Sequence, residues 1–91
     1  MDSPSNVDTQ NYLVALFKLW ERTPADQPAV FDDSRMSAQT QWDSKKVRVL
    51  NDHCVRMGWI QYPYEGAKEY TLTTVGISSA REAQRKVSLS L

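Results

Sequence analysis

Cysteine is nearly missing from this chain: Cys54 stands alone. A single thiol excludes an intramolecular disulfide and cannot by itself build a structural zinc site, so a reducing compartment is expected. Histidine is equally scarce, with only His53, and the three glycines Gly58, Gly66 and Gly76 are scattered, which excludes a glycine-rich phosphate loop. No apolar run approaches the length that crosses a bilayer. The polar start Met1-Asp2-Ser3-Pro4-Ser5-Asn6 lacks the basic and then apolar layout of a signal peptide, so a cytoplasmic location is expected. Net charge of one sign is also missing: the formal sum is zero, which argues against a strong non-specific polyanion binder.

What the 91 residues do contain is an ordinary globular balance, 41% hydrophobic and 24% charged. One domain is expected over residues 8–87, with a flexible N-terminal segment at 1–7 and a C-terminal tail at 88–91. A chain of this length hides about 60–65% of its unfolded surface, so its stability should be modest, about 5–13 kcal/mol. The zero net charge conceals a polarity along the chain. Up to Asp33 the sum is −4, and from Ser34 onward it is +4. Such asymmetry points either to a basic face or to an uneven surface.

Hydrophobic spacing divides the domain into elements. Asp8 or Thr9 can cap a first helix in which Leu13, Leu16, Phe17 and Trp20 form one inward stripe. Tyr12 and Leu19 widen that apolar arc enough to meet a partner subunit, or simply to bury the helix on a broad front. Pro24 and Pro28 end the helix in a loop. Ala29-Val30-Phe31 is read as a strand fragment before the cap Asp32-Asp33-Ser34, and a short helix through about Thr40 turns Met36 inward. Asp43 or Ser44 caps the next helix, with Val47, Leu50, Cys54 and Met57 inward and Gly58 as its stop. Its other face presents Lys45, Arg48, Val49, Asp52 and Arg56, with Lys46 and His53 on one shoulder and Asn51 on the other.

Trp59-Ile60-Gln61-Tyr62 and Glu69-Tyr70-Thr71-Leu72 alternate at strand period around a turn at residues 64–68, which predicts a β-hairpin. Ile60 is expected to pair in the interior with Tyr70 and Leu72, and Pro63 suits an edge strand leaving the ladder. Thr73 or Thr74 then caps a last helix, in which Gly76, Ala80, Ala83 and Val87 make a narrow stripe that permits close helix approach. The fold class expected is α+β.

From Ser44 onward the chain reads Ser-x-x-Val-x-x-Leu-x-x-x-Cys-x-x-x-Gly-Trp-Ile, then Glu-Tyr-Thr-Leu-Thr-x-x-Gly. Together with the order of elements, this resembles the recognition helix, wing and following cap of bacterial winged helix-turn-helix regulators such as the MarR and PadR-like groups. A Leu commonly stands in those groups where Cys54 stands here, and their Thr-x-x-Gly is matched by Thr73 and Gly76. The resemblance implies a three-helix core, a two-stranded wing and a C-terminal helix. It also implies double-stranded DNA as the ligand, with the helix at about 44–57 in the major groove.

The residue types fit that implication, because Lys and Arg can bond guanine edges or phosphates and an exposed Val can touch a thymine methyl. Lys45 and Arg48 are candidates for base or phosphate contact, Lys46 and Arg56 for phosphate, Val49 for thymine, and Ser44 for phosphate at the helix start. Lys68 is the single cation of the wing, set between Glu65 and Glu69, where a wing laid on phosphates is expected to be richer in Lys or Arg. A transcription regulator is the implied role, as a homodimer through the first or last helix. The alternative is a winged-helix adaptor that binds protein rather than DNA, for which zero net charge and an acidic wing would suit. Its mark would be an exposed apolar patch around Tyr12, Leu19, Trp59 or Tyr64.

Enzyme chemistry is not indicated. His53 and Cys54 are adjacent on a helix, where neighbours point about 100° apart and do not face each other. Cys54 falls in the inward stripe and reads as a small buried hydrophobe. No cofactor and no metal are expected.

Overall fold

The computed structural model describes residues 4–89; Met1–Ser3, within the expected flexible segment, and Ser90 and Leu91 of the expected tail lie outside the described residues. Among the described residues the chain forms four helices and a two-stranded antiparallel sheet, an α+β arrangement.

Helix α1 runs Asn6–Arg22. It starts earlier than Asp8 because the Ser5 hydroxyl accepts from the Asp8 amide at 3.1 Å, which makes Ser5 the cap and places Asp8 in the first turn, where its charge favours the helix dipole. It stops at Thr23, held extended at φ −77° and ψ 127° by the following Pro24. Every residue from Tyr12 to Phe17 is buried, and so is Leu19. A helix buried on this breadth is a central one, packed against the other three helices together. Tyr12 and Leu19 are therefore covered by the chain's own elements.

Phe31 joins the hairpin as an isolated rung: its amide donates to the Tyr70 carbonyl at 2.8 Å and the Tyr70 amide returns the bond at 2.9 Å. Asp32 then caps α2, Asp33–Thr40, by accepting from the Arg35 amide at 2.7 Å. Met36 is its buried residue. Gln41 closes α2 in the left-handed region at φ 64°. Helix α3, Ser44–Arg56, is capped by Asp43, whose carboxylate accepts from the Lys46 amide at 2.8 Å.

Two positions on α3 differ from the expected face. Met57 is 50% exposed rather than inward, because α3 ends at Arg56 and Gly58, at φ 76°, turns the chain away before Met57 can continue the stripe. Asn51 is buried to 2% exposure rather than standing on a solvent shoulder. It lies four residues after Val47 and three before Cys54, within the angular range of the core stripe.

Strands β1, Ile60–Gln61, and β2, Thr71–Leu72, pair with Ile60 opposite Leu72 and Gln61 opposite Thr71. Tyr70, buried like Ile60, takes Phe31 as its backbone partner. Helix α4, Thr74–Leu89, extends into the segment expected as a tail. Thr73 caps it, its hydroxyl accepting from the Gly76 amide at 2.9 Å. Gly76 is required by close approach: a Cβ there would stand 1.9 Å from the Trp59 carbonyl oxygen. Ala80 and Ala83 are buried behind it, so small side chains let α4 lie along α1. No helix among the described residues is long and apolar enough to cross a membrane.

Candidate nucleic-acid interface

Because Val47, Leu50, Asn51 and Cys54 fix the inward face of α3, the opposite line consists of Lys45, Val49, Asp52 and Arg56, spaced four, three and four residues apart. All of these are exposed, and Ser44 is exposed at the first turn. Neither Lys45 nor Arg56 takes part in an ion pair among the described residues. They are long cations whose charge is directed to solvent.

The other cations of α3 are engaged. Lys46, on the flank toward α1, sits 3.3 Å from the Asp8 carboxylate and 4.2 Å from the centre of the Trp42 ring. Trp42 in turn stacks on Tyr12, with ring centres 6.1 Å apart and planes 10° from parallel. Lys46 therefore ties the start of α3 to α1, and its role in the fold competes with any role toward a ligand. Arg48 lies on the opposite flank, where its Nε stands 3.8 Å from Asp33 Oδ2 at the start of α2. Its side chain remains 76% exposed.

Lys68 is brought toward Arg48 from the hairpin loop. A cleft of about 560 Å³ separates them, lined by Asp32, Asp33, Ser34, Tyr62 and Glu69 as well. Six of the residues singled out from the sequence, Ser44, Lys45, Lys46, Arg48, Val49 and Arg56, thus share α3, and of these Arg48 lines the cleft together with Lys68. Tyr62 stands against Tyr70, edge to face at 5.3 Å. Burial raises its hydroxyl pKa, reinforced by the nearby Asp33 and Asp52 carboxylates.

Beneath this surface lies a polar network that sequence reasoning did not anticipate. The buried Tyr12 hydroxyl donates to Asn51 Oδ1. The Asn51 amide donates to Asp33 Oδ1 at 2.7 Å and reaches the Tyr70 oxygen at 3.0 Å, while the Tyr70 hydroxyl donates to Asp33 Oδ1 at 3.3 Å. Four elements meet here: α1, α2, α3 and the hairpin. Both tyrosine pKa values are raised, chiefly by burial. The signal available was indirect: Asn51 falls within the inward stripe, and a buried tyrosine ordinarily finds a partner for its hydroxyl.

Cys54 is fully buried in the same core, and burial pushes its thiol pKa up to about 12. Its thiolate is therefore not available near neutral pH. His53 turns to the other flank, its ring edge to face with Trp59 at 5.8 Å.

No protein-family model, curated protein or solved structure matches this chain.

Proposed function

We propose that this chain is a winged helix-turn-helix protein that binds double-stranded DNA, with α3 as the helix that enters the major groove. The observation that carries the reading is the outward line of α3, where Lys45 and Arg56 have no ion-pair partner among the described residues and Val49 stands exposed between them. Cations at both ends of an exposed helix suit phosphates on either side of a groove, and a small apolar group between them suits a thymine methyl. A cytoplasmic transcription regulator is the role this implies. Pairing of two copies is assigned to the outward face of α4, since Tyr12 and Leu19, the residues that widen the apolar arc of α1, are buried within the chain. Titration of a fluorescent random-sequence duplex at low and moderate salt tests the reading. Affinity should fall steeply with salt, and Lys45→Ala/Arg56→Ala should reduce the logarithmic salt slope by about two. No binding at low salt would overturn it.

A second reading, an adaptor that takes a protein partner, is favoured by the exposure of Val55, Met57, Tyr62 and Tyr64. Burial of Tyr12 and Leu19 removes the larger patch that such a module would use.

A further inference from the structure

The buried network and the exposed face meet at Asp33. Its Oδ1 accepts from Asn51 and Tyr70, which anchors the carboxylate from within, and its Oδ2 faces Arg48 Nε at 3.8 Å. An ion pair this exposed contributes little to stability. Its effect on Arg48 is of another kind. A guanidinium on a long, rotamer-rich stem acquires a fixed anion beside it, and a negative charge is kept next to a cation that would otherwise attract any phosphate. Among the described residues Lys45 and Arg56 have no such partner. Helix α3 thus carries two kinds of cation, Lys46 and Arg48 with a carboxylate beside them and Lys45 and Arg56 with none among the described residues.

We propose that Asp33 is a positioning residue for Arg48: it aims the guanidinium at a base edge in the groove rather than at whichever phosphate is nearest, lowering affinity for arbitrary sequence and raising discrimination. The inference rests on the DNA-binding reading of α3. The chemistry that would take a held, planar guanidinium is the O6 and N7 edge of guanine, which accepts two parallel hydrogen bonds from the arginine fork. Asp33 itself does not contact DNA in this account; it acts through Arg48.

Asp33→Asn is the discriminating change. The amide keeps an oxygen to accept from Asn51 and Tyr70, and it removes the charge facing Arg48. The probes are a random-sequence duplex and a duplex selected from a randomised pool by the wild-type protein. Asp33→Asn should bind the random duplex about threefold more tightly at moderate salt, with a salt slope steeper by about one. Its preference for the selected duplex should fall about fivefold or more. Adding Arg48→Ala to Asp33→Asn should abolish the gain on random sequence. Should Asp33→Asn fail to fold, Arg48→Ala alone reads the same coupling from a solvent-exposed side chain. It should lose preference for the selected duplex and weaken random-duplex binding less than Lys45→Ala does. If instead Arg48→Ala weakens random-duplex binding as much as Lys45→Ala does, Arg48 is an ordinary phosphate cation and the proposal is wrong. Unaltered affinity, slope and preference in a folded Asp33→Asn would also overturn it while leaving the DNA-binding reading intact. A wild-type protein that binds no duplex would remove both.

Discussion

The hydroxyl of Tyr12, on the central helix, donates a hydrogen bond to the side-chain oxygen of Asn51 on α3, and both residues are buried. The bond fixes the rotation of α3 about its own axis. With Asn51 held inward, Lys45, Val49 and Arg56 must face out. A purely apolar contact would permit a range of rotations, whereas a directional bond backed by Asp33 and Tyr70 selects one.

Tyr12→Phe should therefore cost about 1–3 kcal/mol, since it leaves the buried Asn51 oxygen without its donor. Urea denaturation of the two proteins measures the difference. A loss close to zero would mean that water or a rotated amide satisfies Asn51, and that the bond does not set α3.

Gly76→Ala should destabilise by about 3 kcal/mol or more, because the added methyl would meet the Trp59 backbone, which has no flexible end to move aside. Gly66→Ala is the contrasting case. Nothing lies within 4 Å of its Cβ position, so only the left-handed backbone at φ 84° opposes it, at about 1–2 kcal/mol. Thermal unfolding of both variants distinguishes a packing cost from a backbone cost.

Gln41 holds a left-handed conformation at φ 64° without being glycine, in the turn between α2 and α3. Relief of that strain by Gln41→Gly should raise stability by about 0.5–1 kcal/mol, read from the denaturation midpoint at unchanged slope. A lower midpoint would show that the Gln41 side chain contributes more than the strain costs.

Stability should be lost in alkali. Burial raises the pKa of Cys54, to about 12, and those of Tyr12 and Tyr70 above the usual tyrosine range. The folded chain then holds protons that the unfolded chain releases. The stabilisation is complete below the unfolded thiol value, 9.0, and declines as pH rises through the folded value. The decline steepens toward about 1.4 kcal/mol per pH unit for each group that titrates only on unfolding. Urea midpoints at pH 8 and pH 10.5 check this, and Cys54→Ala should remove the thiol's share.

Much of the architecture was legible because it depends on local signals. The caps Asp32 and Asp43, the inward residues Met36, Val47, Leu50 and Cys54, the stop at Gly58 and the small-residue stripe of α4 each follow from spacing or from a single residue type. The pairing of Phe31 with Tyr70 was not legible, since it joins residues far apart in the chain. The start of α1 depended on whether Ser5 or Asp8 supplied the cap, and both have the chemistry. At the candidate interface, the sequence identified the cations of α3 but not which were already engaged. Asp8, Trp42 and Asp33 lie on other elements, so the restraint on Lys46 and Arg48 is a tertiary property. Asn51 was misplaced because a polar residue at the edge of a stripe turns inward only when it has partners waiting, and those were Tyr12, Tyr70 and Asp33.

Backbone amide chemical shifts of the labelled protein read whether α3 presents its Lys45, Val49 and Arg56 line to DNA. On titration with a random-sequence duplex at low salt, shift changes should concentrate from Ser44 to Arg56 and around Lys68, with the amides of Asn11 and Lys18 on α1 nearly unmoved. Changes confined to α1 or α4, or none at all, would contradict it.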